Sequence, residues 1–165
     1  MQKGLSLLPI LTTIFIFLPH SLSAKTVTVE RVVDGDTFVT TDGDRVRLIG
    51  LDAPEIDNND CYASKAKNYL DRLIGDKTVS LKFDEDKRDQ YDRLLAYVHK
   101  NGFINRQLIK KGYSSVSIVA PNEKYADTFN SDQTTAQSNS KGIWSHCNDI
   151  ISEYVPGEVT GVTAG

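Results

Sequence analysis

The chain has 165 residues, 39% of them hydrophobic and 25% charged, and a formal net charge of −3. That length fits one domain with a short extension at each end and leaves no room for a second large one. The weakly acidic balance excludes a general polyanion binder, so any nucleic-acid contact must come from a local patch and a bound cation.

The first extension has the layout of a secretory signal peptide. Lys3 precedes an apolar run from Leu5 to Leu18, and small residues follow as far as Ala24. The run is short of the ~20 residues a spanning helix needs and Pro9 interrupts it, so cleavage after Ser23 or Ala24 is expected rather than an anchor. No second apolar run follows, which implies a soluble mature protein with no membrane contact, secreted or periplasmic. Losing Lys3 leaves 18 basic residues against 22 acidic ones. In an oxidising compartment the even pair Cys61 and Cys147 is expected to form a disulfide, the alternative being two separate buried thiols. Closing so long a loop stabilises by about 4–5 kcal/mol in the chain-entropy model. A zinc site is not expected, because only His20, His99 and His146 could assist and His20 leaves with the signal.

The mature chain opens with strands. The β-branched segment Thr26–Val33, the Asp34-Gly35 turn, a second strand at Thr37–Thr41, the Asp42-Gly43 turn and a third strand at Arg45–Leu51 describe a meander. In the third strand Val46 and Leu48 alternate with Arg45 and Arg47, so the arginines leave the buried face. Ala63, Ala66, Leu70, Leu73 and Ile74 make an apolar stripe at helical spacing, with Gly75 as the stop. Strands are expected at Thr78–Phe83 and Leu94–His99, the latter followed by an Asn101-Gly102 turn. A short helix over Asn105–Lys111 ends at Gly112. After a β-branched stretch at Val116–Val119, Asn122 is expected to cap a last helix running toward Lys141. Phe38, Phe83, Tyr97, Phe129 and Trp144 are expected to pack the interior. Residues 150–165 show no apolar period and read as a loose tail. Five strands with a helix after the third and two more to follow predict an α+β fold, a five-stranded OB-type barrel with about three helices over residues 25–149. An α+β sandwich is the alternative that periodicity leaves open.

Three carboxylates and two arginines stand at strand ends and turns. Asp36 follows the first turn and Asp52 ends the third strand, so both can meet at one mouth of a barrel. Two carboxylates with a main-chain carbonyl and waters suit Ca²⁺, which tolerates irregular oxygen shells. Glu55, fixed nearby by Pro54, can orient or deprotonate a water. Arg47 and Arg93 carry planar guanidinium forks that match the anionic oxygens of a phosphoryl transition state. Taken singly, D-G-D-T reads as an ordinary turn and either arginine as an ordinary surface ion pair, with Asp89 or Asp92 as partners. Together they suit phosphodiester cleavage.

The order D-G-D-T, R-L-I-G-L-D-A-P-E, Y-D-R-L-L-A-Y and G-I-W-S resembles the staphylococcal nuclease (thermonuclease) family from about Val27 to Cys147. The resemblance implies an OB-type barrel with Ca²⁺-dependent phosphodiesterase activity on DNA and RNA, giving 3′-phosphate ends. It assigns Asp36, Asp52 and the main-chain carbonyl of Ala53 to the metal, and Arg47, Glu55 and Arg93 to catalysis. No stable protein partner is implied, and a monomer is expected. The chain departs from the pattern where Gln90 replaces a phosphate-binding lysine, and where nucleotide-stacking tyrosines give way around Ser117, Ile118 and Ala120, leaving Tyr113 as a substitute. The segment from Glu55 to Cys61 is also short. The competing reading is a non-catalytic OB-fold nucleic-acid-binding module, and a ligand-free disulfide-stapled envelope protein ranks last.

Overall fold

A computed structural model describes residues 24–147. The expected signal peptide (residues 1–24, apart from Ala24) and tail (residues 150–165) lie outside the described residues. The elements in chain order are β1 (Lys25–Val32), β2 (Thr37–Thr40), β3 (Arg45–Leu48), β4 (Gly50–Asp52), α1 (Ala63–Ile74), β5 (Thr78–Lys82), β6 (Leu94–His99), α2 (Ile104–Lys111), β7 (Ser115–Ser117), α3 (Ala126–Ser138) and the single turn α4 (Ile143–His146).

Five strands close a barrel in the order β1-β2-β3-β6-β5, and β5 returns to β1. Pairing is antiparallel except between β3 and β6, where Arg47 lies opposite Leu95 in parallel register. This is the α+β barrel that the strand pattern predicts. Alternation does the sorting: in β3, Val46 and Leu48 are buried while Arg45 is exposed and Arg47 half-buried. The core continues under the helices through Leu70 and Ile74 of α1, Leu108 and Ile109 of α2, and Phe129 of α3. Asn105 is fully buried among them. Its side chain accepts from the Val98 N–H and donates to the Ile49 carbonyl, both at 2.9 Å, tying α2 to the strands.

Three expectations need correction. The single strand over Arg45–Leu51 is two strands, because Gly50 adopts a φ of 83° and turns the chain out of the barrel. A Cβ there would lie 2.3 Å from Cε2 of Phe129, so only glycine allows β4 to leave β3 under that ring and pair with β7. Asn122 does not cap the last helix, which begins at Ala126 after Tyr125 and ends at Ser138. Instead the buried Asn122 side chain accepts from the Asp86 N–H at 2.9 Å and donates to the Asp86 carbonyl at 3.0 Å, which fixes the loop before β6. The C-terminal segment is seated by Ile143 and Cys147, both buried, whereas Trp144 is half-buried. Among the described residues no helix is long and apolar enough to cross a membrane.

Candidate active site

The turn between β1 and β2 brings in the first carboxylate. Asp34 Oδ1 accepts the Asp36 N–H at 3.0 Å, closing the turn, and Gly35 sits so near α1 that a Cβ would lie 2.6 Å from the Ala53 Cβ and 2.7 Å from the Ala66 Cβ. The turn is therefore pressed onto Ala53 and the helix, and Asp36 is fully buried. Its Oδ2 accepts the Ala53 N–H at 2.8 Å and its Oδ1 accepts the Thr37 hydroxyl at 3.0 Å.

Arg47 leaves β3 on the non-core face and forms ion pairs with both metal-candidate carboxylates. Its Nη1 pairs with Asp36 Oδ2, and its Nη2 donates to Asp52 Oδ1 at 2.7 Å. One guanidinium thus spans the oxygens of two carboxylates that come from a turn and the far end of β4. Burial, with Asp34 adding to it and Arg47 opposing, pushes the Asp36 carboxyl up to about 8. Glu55 is half-buried just beyond Pro54, and its carboxyl is raised by burial first and then by the negative charges of Asp34, Asp52 and Asp60, with Arg47 acting against them. Asp34, Asp36, Asp52 and Glu55 therefore share one neighbourhood in which Arg47 is the cation facing them.

Arg93 arrives from the turn before β6. Asp89 holds it: Oδ1 accepts the Tyr91 and Arg93 N–H groups at 2.9 and 3.0 Å, and Oδ2 accepts the Arg93 Nε–H at 2.7 Å. Burial of Asp89 opposes its ionisation, but these bonds outweigh that and hold the carboxyl below its ordinary value. With Nε engaged, the terminal nitrogens of Arg93 make no ion pair among the described residues. Arg93 and Arg47 line one open cleft of about 440 Å³, together with Gln90 and Ser117. The exposed Tyr91 ring packs 5.5 Å from the Arg93 guanidinium carbon.

Of the sequence candidates, Arg47 joins Asp36 to Asp52, Asp36 is bonded to Ala53, Glu55 is coupled to them electrostatically, and Arg93 lines the same cleft as Arg47. Tyr113 does not line that cleft. It stacks on Tyr69 with ring centroids 4.2 Å apart and also meets Tyr62. By sequence pattern Asp34 reads as a plain turn residue and Asp89 only as a surface partner. The Asp89–Arg93 spacing of four residues within a turn was the available signal for the clamp.

The residues fit a hard divalent ion. Asp36, Asp52 and Glu55 share one guanidinium, and a buried carboxyl raised to about 8 is one that a further positive charge would stabilise in its ionised form. Among the described residues no group of three or more His, Cys, Asp or Glu encloses a metal on its own. Asp36, Asp52 and the Ala53 carbonyl would, with waters, supply an oxygen set of the open kind that Ca²⁺ accepts.

A barrel of this topology with carboxylates and paired guanidinium groups at one mouth defines a phosphate-directed OB-fold protein. Residues 45–146 match the family model described as staphylococcal nuclease homologue. The chain is 39% identical over 140 residues to endonuclease YncB of Bacillus subtilis (strain 168), covering 77% of this chain and 66% of that protein. It is 41% identical over 129 residues to the SPbeta prophage-derived endonuclease YokF of the same organism, covering 72% of this chain but 44% of that protein. It is 36% identical over 124 residues to the thermonuclease of Staphylococcus intermedius, covering 70% of this chain and 74% of the relative. The chain belongs to the staphylococcal nuclease family.

Proposed function

We propose that this chain is a Ca²⁺-dependent nuclease that hydrolyses phosphodiester bonds of DNA and RNA with little sequence preference and leaves 3′-phosphate ends. The observation that carries the reading is the Arg47 guanidinium joining Asp36 and Asp52 beside Glu55, at the rim of the cleft that Arg93 shares. Asp36, Asp52 and the Ala53 carbonyl would hold the ion, which supplies Lewis acidity at the scissile phosphate. Arg47, which now donates to one oxygen of each of two carboxylates, would turn its planar fork to two phosphate oxygens. Arg93, steadied by Asp89, binds the phosphoryl oxygens from the cleft side and neutralises charge that builds as the nucleophile adds. Glu55 accepts a hydrogen bond from the attacking water and takes its proton, a role suited by a carboxyl whose proton affinity is raised. The P–O5′ bond breaks, and the 5′ oxygen leaves as a hydroxyl with a proton from solvent. The acidic net charge favours release of the polyanionic product.

The same reading includes removal of residues 1–24 as a signal peptide, action outside the cytoplasm, and a monomer. The family membership, the endonuclease and thermonuclease names of its relatives and the Cys61–Cys147 bridge support it. The test incubates purified mature protein with single-stranded DNA, plasmid and RNA plus Ca²⁺, then adds a chelator and maps the product ends. Cleavage that stops on chelation and leaves 3′-phosphates is expected. Tight binding without turnover would favour a binding module, and cleavage indifferent to chelator would remove the metal.

A further inference from the structure

We propose that Asp60 is a positioning residue for Glu55 and that the Cys61–Cys147 bridge fastens it, so that the disulfide governs turnover as well as stability; this rests on the role given to Glu55 above. Residues 57–61 are exposed, and Ile56 is the one apolar side chain between Pro54 and Cys61. Such a loop has little packing to hold it. Apart from the Asn59 N–H, which donates to the Ile56 carbonyl at 3.0 Å, its hydrogen bonds converge on Asp60. The Glu55 N–H donates to Asp60 Oδ2 at 2.9 Å, the Asp60 N–H donates to the Glu55 carbonyl at 3.1 Å, and the Ala63 N–H donates to the Asp60 carbonyl at 3.2 Å. One residue thereby joins the backbone of Glu55 to the first turn of α1.

The loop is not one the chain adopts unaided. Asn59 and Tyr62, on either side of Cys61, take left-handed φ values of 55° and 74°. Asparagine tolerates this region, but a tyrosine persists there only where its surroundings over-determine it. The bridge provides that constraint, with its two Cα atoms 5.7 Å apart. Its far end is rigid: Cys147 is 2% exposed, its N–H donates to the Ile143 carbonyl at 3.0 Å, and the Ile143 N–H donates to the Gly112 carbonyl at 2.8 Å. The Gly112 and Gly142 backbones pass so closely that a Cβ on Gly142 would lie 2.0 Å from the Gly112 oxygen. This rigidity reaches Cys61, then its neighbour Asp60, then the Glu55 amide. Glu55, Asp60, Cys61 and Cys147 all line one cavity of about 370 Å³, so the bridge forms a wall beside the proposed base. The hold on Asp36 is separate, running through the Ala53 amide. Loosening the loop should therefore slow turnover without weakening ion or substrate binding.

The experiment compares wild type, Asp60→Ala, Asp60→Asn and the double variant Cys61→Ala/Cys147→Ala. Each is read for kcat and KM on single-stranded DNA with Ca²⁺, and for amide hydrogen exchange at Glu55. Asp60→Ala and the bridge-free variant are expected to lose about tenfold to a hundredfold in kcat, the scale of a small misplacement, with KM little changed. Asp60→Asn keeps a side-chain oxygen for the Glu55 N–H and is expected to recover most of the rate. In a Glu55→Gln background Asp60→Ala should cost nothing further. The Glu55 amide should exchange faster in both damaged variants while the barrel amides of Val46 and Ala96 stay protected, which separates loop release from unfolding. Wild-type kcat in Asp60→Ala alongside a slow Glu55→Gln overturns the inference, as does unchanged exchange at Glu55. A Glu55→Gln variant as fast as wild type would instead remove the role of Glu55, leaving exchange to decide whether Asp60 and the bridge hold the loop.

Discussion

Asp36→Asn should stabilise the metal-free protein while abolishing its activity. The Asp36 carboxyl is fully buried and moves from 3.8 to about 8, with burial the largest cause, Arg47 opposing it and Asp34 adding to it. The folded protein holds this proton more tightly than the unfolded chain does. Its contribution to stability is complete below about pH 3.8 and is lost as pH rises through about 8. At pH 7 in chelator, folding must return to Asp36 a proton that the unfolded chain has lost, a cost that the isosteric amide removes, while an amide oxygen still accepts the Ala53 N–H. At about 1.4 kcal/mol per pKa unit the three units between the unfolded value and neutrality set a ceiling of about 4 kcal/mol. The amide matches the hydrogen bonds of the protonated carboxyl only in part, so a net gain of about 1–3 kcal/mol is expected. Urea unfolding in EDTA at pH 7 and pH 4 provides the assay, with the gain present at pH 7 and nearly gone at pH 4. A variant less stable than wild type at both pH values would refute the argument, because burial would then not be the dominant influence on Asp36.

Arg47→Ala and Arg93→Ala should each lower single-turnover cleavage by about 10²–10³, the scale of one lost transition-state donor, and an undiminished rate in either would remove that residue from the chemistry. The cleavage rate should rise with pH through the raised carboxyl of Glu55, since the residue acts when ionised, and Glu55→Gln should flatten that limb of the profile. Gly50→Ala must accept a φ of 83° and a contact 2.3 Å from the Phe129 ring. Thermal or urea unfolding should report a loss of about 2–4 kcal/mol for it. A smaller loss would mean that β4 is not fixed by that ring.

Much of this architecture is legible in the sequence because local rules and burial agree. Alternation in Arg45–Leu48 sets which face Arg47 takes, and the Asp34-Gly35 turn delivers Asp36 to the strand ends. The break at Gly50 is not legible, since its cause is a ring on α3 almost eighty residues away in the chain. Asn122 looks like a helix cap by residue type, yet its side chain satisfies the backbone of Asp86, a partner no local pattern reveals. The candidate site divides in the same way. The carboxylates and arginines are visible as motifs, whereas the residues that hold them, Asp89 under Arg93 and Asp60 under Glu55, appear only when turns close in space. The even pair of cysteines, with the expected oxidising compartment, predicts the bridge, and its place beside Glu55 emerges from the fold.

The account depends most on Asp36 and Asp52 sharing one divalent ion. Isothermal titration of Ca²⁺ into the purified protein, repeated with Asp36→Asn and Asp52→Asn, tests this directly. One ion bound per chain in the wild type, with binding lost or severely weakened in both variants, is the predicted result. Absence of binding to the wild type, or equal affinity in all three proteins, would contradict it.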